Sequence, residues 1–305
     1  MQWPDKKSEL QEIKNPLFDE KKVRVFMLRD DLLHPGISGN KWRKLKYNIL
    51  DAWAKEETTL VTVGGSHSNH IAAVAAAGKE FGFKTVGLIR GYEAYRNNPT
   101  LKQAAYLGMD VRFFDKSEYG QIETVYLPQL RNEIGAFYFV PMGGGNHLGT
   151  KGSIEICEDI HPESTHVTVA CGTGSTLAGV ALGGSSSVRV IGFPVMKNGD
   201  FITDEVVQFA TEFGGVKELN IELHLNCDFG GFGKMTPELI AFINDFYTQQ
   251  KIPLDGVYNG KMMFGLFDKI RNNDFKPGSV ITAIHTGGVQ GNKGLMDKYK
   301  TILPL

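Results

Sequence analysis

Four glycine-rich turns hold the residues whose types and spacing could do chemistry. The first, Ser38-Gly39-Asn40-Lys41-Trp42-Arg43-Lys44-Leu45, delivers a lysine to what reads as the first turn of a helix. A helix N-terminus repels ammonium and attracts anions, so a cation there needs neutralising. Converting the amine to an imine, beside a phosphate held by a second basic residue, would do that. Taken alone, KWRKLK reads better as a solvated basic helix on the surface. The second turn, Gly64-Gly65-Ser66-His67-Ser68-Asn69-His70, joins an apolar run to an alanine-rich one. Its glycines admit a ligand close to the backbone, Ser and Asn cap helices, and free amides there attract anions. Ser66, His67, Ser68, Asn69 and His70 are therefore candidate donors to a carboxylate or a phenolic oxygen; an ordinary capped helix is the plainer alternative.

The third turn, Cys171-Gly172-Thr173-Gly174-Ser175-Thr176, follows an apolar strand with three glycines through Gly179. Amides, hydroxyls and a helix dipole at such a start suit a phosphate dianion. The Gly-Lys-[Ser/Thr] ending of a P-loop is missing, and the glycine spacing does not fit a dinucleotide fingerprint, so a lone phosphate is the better guest. The fourth, His285-Thr286-Gly287-Gly288, ends a C-terminal strand, and Asp255-Gly256-Val257-Tyr258-Asn259-Gly260 places Tyr258 and Asn259 at another helix entrance. Tyr258 could be an acid, a base or a core residue. One lysine, one phosphate cup, one donor-rich loop and two polar turns are what a phosphorylated, imine-forming carbonyl cofactor would need.

Strands and helices must hold these turns. Short β-branched runs at 22–28, 59–63, 84–89, 110–114, 136–140, 166–170, 188–193 and 279–284 read as strands. Amphipathic stretches at 40–54, 68–81, 98–107, 120–134, 148–158, 175–182, 202–213, 236–249 and 260–271 read as helices. Such alternation predicts right-handed crossovers and a mostly parallel sheet, with ligands at the carboxyl ends of its strands. The glycine-rich stretch 143–153 reads as a crossing between two α/β units.

Composition narrows the class. Of 305 residues, 42% are hydrophobic and 22% charged, and the net charge of -1 gives no field for nucleic acid or an anionic membrane. Cys157, Cys171 and Cys227 are odd in number and widely spaced, which argues against a disulfide framework or a zinc knuckle. Without a signal-like start or a membrane-length apolar run, the expectation is a reduced cytoplasmic protein with no bound metal.

The segments LRDDL, GNKWRKLKY, SHSNHIAAVAA, GTGSTLAG, VYNGKMMFGL and IHTGG, in that order from about Arg29 to Gly288, resemble the fold-type II pyridoxal 5'-phosphate (PLP) enzymes. Within them the chain is similar to the group of 1-aminocyclopropane-1-carboxylate (ACC) deaminases and D-cysteine desulfhydrases. The resemblance implies a tryptophan synthase β-like architecture of two three-layer α/β domains with mostly parallel sheets, the smaller at 44–147 and the larger from 1–43 and 148–305. It implies Lys41 as the lysine carrying PLP, Lys44 at the cofactor phosphate, and Gly172, Thr173, Gly174, Ser175 and Thr176 as the phosphate loop. Asn69 would bond the phenolic oxygen, and Ser68 would sit near the α-carbon of the substrate, with Ser66, His67 and His70 beside it. Tyr258 would flank the ring, with Asn259, Thr286 and Gly287 also at the cofactor. Asn259 stands where ACC deaminases carry a glutamate facing the pyridine nitrogen, and Phe232 where they carry a second tyrosine. Both departures favour D-cysteine desulfhydrase-like β-elimination, giving a keto acid and ammonia, over ACC deamination. A non-catalytic PLP or phosphometabolite binder is the alternative of another class. The resemblance also implies a homodimer and a small amino-acid substrate.

Overall fold

The computed structural model describes residues 3–213 and 219–305. Its strands are β1 (Leu10–Ile13), β2 (Arg24–Leu28), β3 (Thr59–Gly65), β4 (Lys84–Arg90), β5 (Met109–Phe114), β6 (Tyr138–Val140), β7 (His166–Cys171), β8 (Arg189–Pro194), β9 (Ile221–Leu223) and β10 (Val280–Ile284). They form a six-stranded sheet in the order β1-β2-β10-β7-β8-β9 and a four-stranded sheet in the order β5-β4-β3-β6. Among the described pairings only β1 with β2 is antiparallel. Buried parallel strands read as continuous apolar runs, and β10 (VITAI) is buried at every position.

The helices are α1 (Pro16–Lys21), α2 (Asn40–Ala54), α3 (Asn69–Phe81), α4 (Pro99–Tyr106), α5 (Lys116–Tyr119), α6 (Leu127–Ile134), α7 (His147–Ile154), α8 (Ser175–Gly183), α9 (Ile202–Thr211), α10 (Pro237–Gln250), α11 (Asn259–Arg271) and α12 (Asn292–Tyr299). They cover both faces of each sheet. On the six-stranded sheet, Val25, Met27 and Ile281 pack with Leu239, Ile243, Met262 and Leu266 of α10 and α11. The opposite face sets Val167, Val169 and Ile284 against Leu177 of α8 and Ile202 and Val206 of α9. On the four-stranded sheet, Leu60 and Ile89 meet Leu45, Ile71 and Val74 of α2 and α3, while Val61, Val63 and Val86 meet Leu127 and Leu130 of α6. Each such side chain contributes about 1.5–3 kcal/mol on full burial. The fold class read from the sequence is therefore the one observed.

Some elements differ from expectation. The helix expected over 120–134 is a π-helical turn at Ile122–Tyr126 followed by α6 with a proline in its first turn, and a short α5 that was not expected precedes them. The short β1, α1, β9 and α12 were not foreseen. Among the described residues, no helix is long and apolar enough to cross a membrane.

Candidate active site

Three of the four turns leave the carboxyl ends of parallel strands, where ligands of such sheets bind: 66–70 after β3, 172–176 after β7 and 285–288 after β10. The fourth, with Lys41, opens α2 and is pinned to the turn after β10. Gly39 has φ +66, and a Cβ there would lie 1.9 Å from Thr286 O. A Cβ on Gly287 (φ +75) would in turn lie 2.5 Å from Ser38 Oγ. Only glycine permits this approach of two backbones. Asn40 N donates to Thr286 O at 3.3 Å and completes the join.

The Lys41 turn also reaches the glycine cup. Lys41 Nζ donates to Asn40 Oδ1 at 2.8 Å, and Asn40 Nδ2 donates to Thr176 Oγ1 at 3.0 Å. Lys44, one helical turn on, lies on the same side as Lys41, while Arg43 points elsewhere and binds Asp30 and Asp159. The cup is tightly framed. Thr173 Oγ1 and Ser175 Oγ are 3.3 Å apart, Gly174 N donates to Glu205 Oε2 at 2.8 Å, and a Cβ on Gly172 would touch the Tyr258 ring at 3.0 Å.

Electrostatics mark the same place. Burial pulls the Lys41 amine down to about 8, with Asp255 opposing. Lys41 keeps a small solvent window although its amine lies deep among protein atoms. Lys44 is 1% exposed, and burial, reinforced by repulsion from Lys41 and opposed by Glu205, holds it well below the usual lysine range. Burial and the two lysines likewise keep His70 neutral. Thr62 Oγ1 donates to Val140 O, so His70 Nε2 must be the donor in its 2.9 Å bond to Thr62. His70 Nδ1 is then a bare acceptor, and it is buried without a partner.

Two crowded, buried amines beside an unsatisfied ring nitrogen and a hydroxyl-lined glycine turn fit a phosphorylated aldehyde. Capture of an aldehyde would remove the Lys41 charge, and a phosphate would supply the counter-charge that Lys44 lacks.

The remaining sequence-derived candidates lie on the adjoining loops, with Ser66 and His67 turned to other partners. Ser68 caps α3, accepting from His70 N and Ile71 N, so its hydroxyl proton stays available. Asn69 Oδ1 accepts from Gln290 Nε2 at 3.0 Å, tying the loop after β3 to the segment after β10. Ser66 is half-buried and His67 exposed; Ser66 O accepts from Asn98 Nδ2, and His67 lies against Gly294. Phe232, 53% exposed, sets its ring edge-on to Tyr258 at 5.9 Å. Burial raises the Tyr258 phenol, with the Asp255 charge adding to it.

Asn259 has both ends of its amide occupied. Its Oδ1 accepts from Thr286 N and Oγ1 at 2.9 and 3.1 Å, and its Nδ2 donates to Asp255 Oδ1 and Gly287 O at 2.6 and 2.8 Å. A bond from this amide to a cofactor ring would require one of those to break. Residues that sequence reasoning did not single out do much of the positioning: Asn40, Glu205, Gln290 and above all Asp255. Asp255 accepts from Val257 N, Tyr258 N and Asn259 N at the entrance to α11. Asn40 carried a sequence signal as the neighbour of the lysine, and Asp255 acts within its own turn; Glu205 and Gln290 act on partners far along the chain.

The chain matches the family described as "Pyridoxal-phosphate dependent enzyme" over residues 9–287. It is 34% identical over 293 residues to a Pyrococcus horikoshii protein provisionally named a 1-aminocyclopropane-1-carboxylate deaminase, covering 92% of this chain and 89% of that one. It is 29% identical to the bifunctional D-cysteine desulfhydrase/1-aminocyclopropane-1-carboxylate deaminase of Arabidopsis thaliana mitochondria, over 92% of this chain and 76% of that one. A solved structure described as an ACC deaminase homologue superposes with a TM-score of 0.86 at 31% identity, covering 97% of this chain and 94% of the other.

Proposed function

The chain belongs to the pyridoxal-phosphate-dependent enzymes, and from that premise we propose that it is a lyase that eliminates a β-substituent from a small amino acid in the manner of D-cysteine desulfhydrases. Bound PLP supplies a carbonyl for the substrate amine and a conjugated ring that accepts the electron pair left by the α-proton. Lys41 Nζ would hold the cofactor and, when not engaged with it, would be the base for the substrate α-proton. Its amine, pulled down to about 8, is partly uncharged near neutral pH and so can act as a base. Lys44 and the cup at Gly172, Thr173, Gly174, Ser175 and Thr176 hold the phosphate. Asn69 presents its free amide nitrogen to the ring, and Ser68 with the neighbouring amides orients the substrate carboxylate. Tyr258, which lies against Gly172 of the cup, would wall one side of the ring. The amino acid and one water would together give the β-group, a keto acid and ammonia.

The observation that carries β-elimination over ACC ring opening is the neutral, fully hydrogen-bonded Asn259. It stands where ACC deaminases carry a glutamate that keeps the ring nitrogen protonated, and Phe232 lacks the hydroxyl of their second tyrosine. The same proposal takes 44–147 as a small domain and 1–43 with 148–305 as a large one, in keeping with the two sheets. It also takes the protein as a cytoplasmic homodimer; the three cysteines are free.

The test is a titration of the PLP-loaded protein with L- and D-amino acids and ACC, followed by cofactor absorbance and by keto acid released. Pyruvate from D-cysteine without 2-oxobutyrate from ACC is the expected result. Turnover of ACC alone would overturn the substrate assignment, a spectrum that no amino acid perturbs would make the protein a binder, and unchanged cofactor capture by Lys41→Ala would remove the lysine from its role.

A further inference from the structure

Lys261, on α11 one turn beyond Tyr258, is fully buried, yet its ammonium pairs with no described carboxylate. It donates to three backbone carbonyls instead: Val195 O at 3.1 Å, Asp228 O at 2.7 Å and Gly231 O at 2.8 Å. Two of the carbonyls, Asp228 O and Gly231 O, belong to the 228–233 loop, which is bent through left-handed conformations at Phe229 (φ 51), Gly230 (φ 90), Gly231 (φ 119) and Gly233 (φ 64). Two of these acceptors also close turns of the loop, Gly231 N to Asp228 O and Lys234 N to Gly231 O. Oxygen dipoles converging on a compact charge are how proteins replace the hydration shell of a monovalent cation. The geometry points to Lys261 as a tethered monovalent cation, whose ammonium fills a carbonyl cage and so fixes the loop that presents Phe232 to Tyr258.

The sequence of contacts is short. Lys261 holds Asp228 and Gly231; the next residue, Phe232, packs edge-on against Tyr258; and Tyr258 lies against Gly172 of the cup. Lys261 is thus a positioning residue. It touches no reacting group, but it sets where the exposed aromatic wall of the site stands. Removing the ammonium takes one donor from each of three convergent carbonyls and leaves a vacancy between them that a free cation of suitable size would fill.

Two variants test this in the full chain. Lys261→Gly opens the cage, and its melting temperature should rise with potassium or ammonium chloride but not with lithium chloride at equal ionic strength, while the wild type does not discriminate. Lys261→Met fills the same shaft without charge, which keeps the test available where the glycine variant does not fold. Trypsin should cut it after the exposed Lys234 about tenfold faster than the wild type, as expected of a locally opened segment. Absence of cation discrimination in Lys261→Gly, or equal cleavage of Lys261→Met and wild type, would overturn the inference. A third arm rests on the proposed function: KM for D-cysteine should rise about tenfold in Lys261→Met with kcat within about threefold. Should the wild type not turn over D-cysteine, that reading fails while the cation and cleavage arms still decide the role of Lys261.

Discussion

Replacing Lys44 by Met should move stability and cofactor affinity in opposite directions. In the cofactor-free protein the Lys44 ammonium is buried, repelled by Lys41 and attracted by Glu205 only through space. Its folded-state pKa lies well below the ordinary 10.5, so the unfolded chain holds the proton more tightly. Stability from this group is therefore fully present above 10.5 and is lost as pH falls through the depressed folded value. Lys44→Met has no proton to lose, so the pH-dependent penalty vanishes. The swap keeps the length and most of the volume of the side chain, holding any packing cost below about 1.5 kcal/mol. For a chain of this length each kcal/mol released raises the melting temperature by about 1.5–2 °C. Cofactor binding behaves oppositely. One charge-assisted hydrogen bond to phosphate is worth about 1.5–3 kcal/mol, so PLP affinity should fall about 10- to 150-fold. Thermal unfolding with and without PLP, followed from neutral pH upward, together with equilibrium titration of PLP, measures both quantities. A variant that binds PLP as tightly as the wild type, or whose cofactor-free form melts lower with an unchanged pH profile, would refute the argument.

Two further outcomes follow from the same geometry. Only the uncharged Lys41 amine attacks a carbonyl, so the rate of PLP capture by cofactor-free protein should climb with pH and level off above about 8; stopped-flow absorbance showing an inflection at the ordinary lysine value would refute the burial argument. Asn259→Glu would set a second buried carboxylate against Asp255 and against Gly287 O, where the amide now donates. Its cost should be about 3–5 kcal/mol at neutral pH, and the deficit should shrink in acid as the pair takes up a proton. Denaturant unfolding at the two pH values checks this, and wild-type stability at neutral pH would mean that the amide does not bridge these groups.

What the sequence made legible was local. Helix α2 begins and ends where its apolar spacing predicts, because Gly39 can take the strained conformation that precedes it and fifteen residues repeat one amphipathic pattern. The glycine turns at 64–70, 172–176 and 285–288 were visible because each interrupts a strand-to-helix junction. Elements at the margins were less so: β1 and β9 are only four and three residues long, too short for a period to emerge. Within the site, residue types were readable but directions were not. Asn259 was placed against the cofactor by resemblance, whereas its amide joins Asp255, four residues back, to Thr286 and Gly287 nearly thirty residues on. Glu205 at the amide of Gly174, Gln290 at Asn69 and Asn40 at Thr176 are partnerships across the fold that no sequence spacing encodes.

The position of β10 has a consequence for the order of assembly. It is the last strand in the chain, yet it lies in the middle of the larger sheet, between β2 near the start and β7 near the centre. A ribosome must therefore release residue 284 before that sheet can close, whereas the sheet built from residues 59–140 can form while synthesis continues. Thr286 and Gly287 emerge with that last strand, so a nascent chain carries Lys41 through almost all of its synthesis without the backbone that anchors it. A lysine at position 41 that takes up vitamin B6 would therefore have to wait for residues 286 and 287 before its own turn is pinned.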